Sequence, residues 1–373
     1  MALQDKAWLV DRLEEIRLMN SYAIEDSFEK VAERPGISPP EVVRLNLNEN
    51  LFIPKQKILK LLRDVAKECD LRIYPQEEEL RLKKSLADYL NVTADHIIVG
   101  NGGDELIQQI ARLFLEVGDE ALSVTPTFSM YGHIVGLVGG KYLETPLNDE
   151  FTLDAHRILS MATPRTRMLF LCSPNNPTAN QFDLDAIRFL VEEFPGLVII
   201  DEAYVEFAEY SVVPLLGKFE NMIVLRTFSK AFGLAGLRLG YAAASLEVAE
   251  GISKAQLPFP LSSVALRMGL KMLSNVDMVK RAVKRVKIER EKLIEKLNGI
   301  DGVKAFPSQT NFVLFQTDLS SGEAYRLLLR KGILVKNFGH ILHLTNCLRT
   351  TVGLPTMNIR LLTALEEICG GSR

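Results

Sequence analysis

Cysteine is scarce in this 373-residue chain, and the four present (Cys69, Cys172, Cys347, Cys369) are scattered, with no CxxC pair. That spacing argues against a disulfide framework or a thiolate metal site and fits the reduced thiols of a cytoplasmic protein. An excess of one charge is lacking too. Lys and Arg number 44 against 47 Asp and Glu, a net charge of −3, too balanced to point to nucleic acid or an anionic membrane. No apolar run reaches the length of a bilayer span. Residues Met1 to Arg17 alternate charged and apolar side chains, without the apolar core of a signal peptide. Internal repeats, low-complexity segments and a GxGxxG fingerprint are all missing. The last absence disfavours a dinucleotide enzyme.

What is present is the composition of an ordinary globular protein, 47% hydrophobic and 24% charged, with length for about two domains. A helix is expected over about Lys6–Asn20, then an irregular arm broken by Pro35, Pro39 and Pro40. Amphipathic helices follow at Lys55–Cys69 and Leu80–Leu90. From residue 96 short apolar runs alternate with helix-length segments. The runs are His96–Val99, Ala121–Val124, Met168–Cys172, Val198–Ile200, Ile223–Leu225 and Leu239–Ala244. This alternation predicts an α/β fold, a mainly parallel sheet with helices on both faces and ligands beyond the carboxyl ends of its strands. Beyond Pro258 and Pro260 the composition changes. A long charged helix, Val276 to Leu297, ends at Asn298-Gly299 in cap position. Strands at Asn311–Phe315 and Ile333–Val335 and helices at Tyr325–Leu329 and Ile359–Ile368 complete a small α+β unit. The division expected is an arm over 1–45, a large domain over 46–270 and a small domain over 271–373, with Gly370–Arg373 a loose tail.

The chemistry concentrates just after the apolar runs. Following Met222–Leu225 comes Arg226-Thr227-Phe228-Ser229-Lys230, with Arg238 eight positions beyond the lysine. A lysine near apolar neighbours loses pKa readily, so its amine is available to attack a carbonyl. Ser229 and Arg238 supply a hydroxyl and a guanidinium fork, groups that hold a phosphate. An aldehyde cofactor carrying a phosphate satisfies all three, and pyridoxal phosphate is such a cofactor. Taken alone, the stretch is equally an ordinary strand-to-helix turn with a surface lysine. Gly100-Asn101-Gly102-Gly103-Asp104-Glu105 follows another run and opens a helix, an anion cradle or a simple N-cap turn. Pro126–Tyr131 offers an aromatic ring, Phe128, to stack on a flat ligand or to pack. Ser173–Thr178 presents an asparagine amide in a stiffened turn. Asp201 follows Leu197–Ile200, where a carboxylate is costly unless paired; a protonated ring nitrogen would pair it, with Tyr204 in reach of a phenolate oxygen on the same ring.

In order along the chain, Leu45–Asn50, Arg72–Pro75, Gly102–Glu105, Pro126–Tyr131, Pro174–Thr178, Asp201–Phe207, Arg226–Gly240, Thr310–Val313 and Leu348–Gly353 resemble the fold-type I pyridoxal-phosphate aminotransferases. The resemblance runs over nearly the whole chain. It implies a homodimer with shared active sites, in which Lys230 carries the cofactor as a Schiff base and shuttles the proton. By the same resemblance Asp201 pairs the pyridine nitrogen, and Asn176 and Tyr204 hold the ring O3′. Phe128 takes the stacking place. Gly102, the amides of Gly103 and Asp104, Ser229 and Arg238 surround the phosphate, and Tyr74 reaches the phosphate of the neighbouring subunit. Arg349 binds the carboxylate of the amino donor, and Tyr22 in the arm contacts substrate. Relatives whose other substrate carries a phosphate place a second cation, normally Arg, thirteen positions before the carboxylate arginine; here it is Lys336. Leu51 replaces the proline after Asn-Glu-Asn, and Ala179 the glycine after Asn-Pro-Thr, a change expected to be tolerated if φ at 179 is negative. The activity implied is amino transfer between glutamate or 2-oxoglutarate and an imidazole or aromatic partner. The alternatives on such a scaffold are a decarboxylase of a phosphorylated amino acid and a non-catalytic pyridoxal-phosphate-binding regulator. The regulator is disfavoured, since no DNA-binding segment or basic patch is appended.

Overall fold

The computed structural model describes residues 7–18 and 42–369; the proline-bearing arm as far as residue 41 and the tail Gly370–Arg373 lie outside the described residues. The first helix spans Ala7–Leu18. A two-residue strand, β1 (Val43–Arg44), leads into the body of the protein.

The large sheet has seven strands, β2 (Ile97–Gly100), β3 (Glu120–Thr125), β4 (Lys141–Pro146), β5 (Thr166–Cys172), β6 (Leu197–Asp201), β7 (Met222–Thr227) and β8 (Gly240–Ala244). Their spatial order is β2-β8-β7-β6-β5-β3-β4. β4, β3, β5, β6 and β7 pair in parallel, whereas β8 runs antiparallel to both β7 and β2. The strands read as unbroken apolar runs because both faces are covered. Met168, Phe170, Ile199, Ile223 and Leu225 pack on one side with Ile107 and Ile110 of the helix Gly103–Phe114. Leu169, Leu171, Val198, Ile200 and Val224 pack on the other with Ile187 and Leu190 of Leu184–Glu193. That is the two-residue alternation of a strand with apolar partners on either face. Four of the six apolar runs lie within strands as expected; the other two begin one residue early, at His96 and Leu239. His96 belongs to a short 3₁₀ turn rather than to β2. β4 was not expected. Its sequence, Lys-Tyr-Leu-Glu-Thr-Pro, sits at the sheet edge half exposed, and so lacks the long apolar run that marks β5, β6 and β7.

The remaining strands are β9 (Val303–Ala305), β10 (Phe312–Thr317), β11 (Ile333–Leu334), β12 (Lys336–Ile341) and β13 (Leu344–Thr351). They form an antiparallel sheet in the order β12-β13-β10-β9, and β11 pairs in parallel with β1. The helices Val276–Asn298, Ser321–Arg330 and Pro355–Cys369 accompany it. Among the described residues no helix is long and apolar enough to cross a membrane.

One local expectation holds and one is corrected. Gly299 does cap the long helix, but at φ −83°, so no left-handed turn is made there. Ala179 is fully buried at φ +67°, so the condition for tolerating alanine in place of glycine is not met. The left-handed conformation costs an alanine roughly 1–2 kcal/mol. Its buried methyl contributes about 0.8 kcal/mol, and glycine would lose a further ~0.5–1 kcal/mol of chain entropy. The terms nearly cancel, which explains how alanine is accommodated.

Candidate active site

The carboxyl ends of β2, β3, β5, β6 and β7 and the start of the antiparallel β8 meet along one edge of the large sheet. The turn after β7 is held at several points. Ser229 N donates to Thr227 Oγ1 at 3.0 Å, and Asn50 Nδ2 donates to the carbonyl of Ala231 at 2.8 Å. Lys230, half-buried, donates from Nζ to the carbonyl of Leu47 at 2.9 Å and stands 5.8 Å from the centre of the Tyr204 ring. Burial pushes its pKa down to about 8, and the Arg349 guanidinium adds to the effect. At the end of β7, buried Arg226 bonds Glu202 through Nε at 2.9 Å and donates from Nη2 to Ser211, while Glu202 also accepts from the Ser211 hydroxyl and the Val212 amide.

An anion cradle lies alongside. Gly240 pairs with Gly100, and a Cβ at Gly240 would sit 2.6 Å from the carbonyl carbon of Gly102. Gly102 takes φ +90°, where a Cβ would stand 2.7 Å from Arg238 Nη2. At Gly103, by contrast, a Cβ meets nothing within 4 Å, so space opens at the first turn of Gly103–Phe114. No side chain caps that helix start, leaving its amides and dipole to an anion. Arg238 Nη2 bonds Asp104 Oδ2 at 3.0 Å, and Ser229, in the turn after β7, is buried.

At the next strand ends, Asp201 Oδ2 accepts from Tyr131 Oη at 2.7 Å and Oδ1 accepts from Ala203 N at 3.0 Å. Burial raises the Asp201 pKa to about 6 against the pull of those two donors. Phe128 stands edge-on to Tyr131, ring centres 5.5 Å apart. Tyr204 Oη accepts from Asn48 Nδ2 at 3.0 Å, and burial raises its pKa. Arg349 donates to Asn176 Oδ1 and to the carbonyl of Asn46, and its guanidinium lies between the rings of Phe312 (5.0 Å) and Phe338 (5.4 Å). Lys336 on β12 is its direct antiparallel partner, so the two side chains leave one face of the small sheet.

Contacts thus link Lys230 with Tyr204, Asn176 with Arg349, Arg238 with Asp104 and Gly102, and Asp201 with Phe128 through Tyr131. Tyr74 is not among them; it is 73% exposed and stacks on Phe259 at 5.1 Å. Tyr22 lies outside the described residues. Two partners escaped the sequence reading, Tyr131 and Asn48. Both fall inside quoted motifs, but neither spacing nor residue type tells which atom a buried hydroxyl or amide will face.

The class I and II aminotransferase family model matches residues 40–365. The chain belongs to that family. A histidinol-phosphate aminotransferase of Caldanaerobacter subterraneus subsp. tengcongensis is 36% identical over 95% of this chain and 97% of its own. Histidinol-phosphate aminotransferase 2 of Archaeoglobus fulgidus is 36% identical over 90% and 96%. Among solved structures, histidinol-phosphate aminotransferase of Sinorhizobium meliloti in complex with pyridoxal-5'-phosphate superposes with a TM-score of 0.84 at 25% identity, covering 94% of this chain and 96% of its own. L-threonine-O-3-phosphate decarboxylase of Porphyromonas gingivalis, at 23% identity and a TM-score of 0.76, shares the fold.

This aminotransferase uses pyridoxal 5'-phosphate, the cofactor of its family, and its residues fit that group. The open space at Gly103 adjoins uncapped helix amides and the Arg238 guanidinium, a setting for a phosphate. The amine of Lys230 is depressed toward neutrality, as a carbonyl-attacking amine needs. A buried carboxylate, Asp201, suits a cationic ring nitrogen.

Proposed function

We propose that this aminotransferase moves the amino group of histidinol phosphate to 2-oxoglutarate, a step of histidine biosynthesis, with some activity on aromatic amines and amino acids. The observation that carries the proposal is the cross-strand pair of cations, Lys336 opposite Arg349. One serves the carboxylate of glutamate or 2-oxoglutarate, the other the phosphate of a substrate without a carboxylate. The names and high coverage of the curated relatives support the same reading.

In this reading the amides of Gly103 and Asp104, with Gly102 leaving them room, bind the cofactor phosphate together with Ser229 and Arg238. Phe128 packs on the ring face, and Asp201 holds its negative charge against the ring nitrogen. Arg349 occupies Asn176 Oδ1, which leaves the Asn176 amide hydrogens for the ring oxygen. Asn48 donates to Tyr204 Oη, which leaves the phenol proton for that same oxygen. When bound, the protonated pyridine ring supplies an electron sink for the charge left at the substrate α-carbon. Lys230 Nζ takes the proton from that carbon and later returns one.

Lysine at 336 supplies a point charge where arginine supplies a two-pronged grip. One charge-assisted hydrogen bond of about 1.5–3 kcal/mol corresponds to roughly one to two orders of magnitude in selectivity. Lys336→Arg is therefore expected to raise kcat/KM for histidinol phosphate relative to phenylalanine, and Lys336→Ala to lower it. An unchanged ratio across the three proteins rejects the phosphate role of Lys336 and with it this choice of substrate.

The same reading gives a cytoplasmic homodimer with shared sites and domains divided at 45 and 270. Four free thiols accord with the compartment. Tyr74 and Phe259, stacked and exposed beside exposed Leu71, Ile73 and Leu257, form the apolar rim a second subunit would cover. Mixing Tyr74→Phe chains with Lys230→Ala chains is expected to restore activity above either parent, since one site of each mixed dimer then carries neither lesion. No gain after demonstrated subunit exchange rules out sharing.

A further inference from the structure

Tyr131 is fully buried, yet it is a tyrosine in a place where phenylalanine would pack as well. Its ring lies flat on Phe170, centres 4.9 Å apart and planes 9° from parallel, on the helix-covered side of the sheet. A buried hydroxyl without a partner is costly; this one donates to Asp201 Oδ2 at 2.7 Å, with the Cys172 thiol as a second polar neighbour. The second Asp201 oxygen takes the amide of Ala203. Both oxygens are thus fixed in direction, one by the backbone and one by a side chain from a different element, Met130–Leu137.

We propose that Tyr131 is a positioning residue of this aminotransferase: its hydroxyl, by donating to Asp201 Oδ2, keeps that carboxylate charged and aimed at the ring nitrogen of the bound cofactor. The inference rests on the reading of Asp201 given above. A hydrogen bond donated to a carboxylate favours its ionised form, and burial here pulls the other way. The other titratable groups that face Asp201 are Cys172, its cross-strand partner on β5, and Tyr204, Asp104 and Lys230. Cys172, Tyr131 and Tyr204 are all pushed up by burial, so they stay neutral through mildly acidic pH. Tyr131 also touches Phe128 edge-on, so one side chain sets both the carboxylate and the proposed stacking ring.

The test measures the affinity of the apoprotein for pyridoxal 5'-phosphate by absorbance titration from about pH 5 to 8. In the wild type, affinity falls on the acid side as Asp201 takes up a proton near pH 6. Tyr131→Phe keeps the ring and removes the donor. It is expected to weaken binding at neutral pH by ~10-fold and to move the acid midpoint upward by about one pH unit, because a carboxylate that loses a donor is protonated more easily. Phe170→Leu disturbs the stack and spares the hydroxyl; it is expected to lower thermal stability and leave the midpoint in place. An unmoved midpoint in Tyr131→Phe, or an equal shift in Phe170→Leu, overturns the proposal. Asp201→Asn is the arm that separates the two failures. If it leaves the neutral-pH affinity unchanged, the reading of Asp201 falls and Tyr131 falls with it. If it weakens binding while Tyr131→Phe does not, only Tyr131 falls.

Discussion

Lys230→Ala is expected to lower transamination by ~10⁴-fold or more, to the limit of detection, and to weaken cofactor retention. The size follows from the two tasks proposed for one nitrogen. A positioned general base alone supplies about 10²–10⁴-fold, and the amine is also the nucleophile that holds the cofactor. Nothing in the local framework depends on the ammonium. The turn is fixed by the Ser229 amide and Asn50; among the described residues Nζ gives up a hydrogen bond to Leu47 and its approach to the Tyr204 ring. A folded but inactive variant is the expected product. The measurement is turnover of glutamate with a 2-oxo acid, together with the rate at which apoprotein takes up cofactor across pH. In the wild type that rate is expected to climb as pH rises through about 8, where the Lys230 amine loses its proton. The alanine variant is expected to show no such rise. Turnover retained in Lys230→Ala removes the assignment.

Asp201→Asn is expected to cut activity by ~10²-fold or more while leaving the fold intact, since a neutral amide cannot hold the ring nitrogen in its cationic form. Structure explains why the fold survives. Asp201 accepts from two donors, Tyr131 Oη and Ala203 N, whereas an asparagine offers one oxygen and one NH2 group. Its oxygen can serve the fixed backbone amide, and the Tyr131 hydroxyl can rotate to accept from the NH2. The expected stability loss is then well under the ~1–3 kcal/mol of a stranded buried donor. Steady-state kinetics on purified, cofactor-loaded protein decides. Activity equal to wild type removes the electrostatic role of Asp201.

Much of this was legible because burial on both faces writes a plain pattern. β5, β6 and β7 carry the unbroken apolar runs Met168–Cys172, Leu197–Ile200 and Met222–Leu225, and the polar signature after each run stands out against that background. β4 was illegible because an exposed edge strand has the composition of a loop. β1, two residues long, falls below any periodicity. The residue types of the site were readable from the motifs. Their mutual contacts were not: Asn48 meets Tyr204 across 156 positions, and Tyr131 meets Asp201 across 70. Local spacing carries no information about such pairs. Ala179 shows the same limit in the backbone, since residue identity argued for negative φ and the surrounding contacts imposed the opposite sign.

The strap from Val43 to Asn50 has a consequence for synthesis on the ribosome. Val43 and Leu45 donate to carbonyls of Gly332 and Leu334, Leu45 accepts from Thr351, and the carbonyl of Asn46 accepts from Arg349, 303 positions later. The strap carries Leu47, the acceptor of the Lys230 amine. An emerging chain can therefore complete the large sheet and still lack one wall of the candidate active site until residues 332–351 have been made. Closing so long a loop is slow, and translation at about 5–20 residues per second adds to the delay. Throughout that interval the strap is a nascent segment whose partners have yet to be polymerised, open to chaperones.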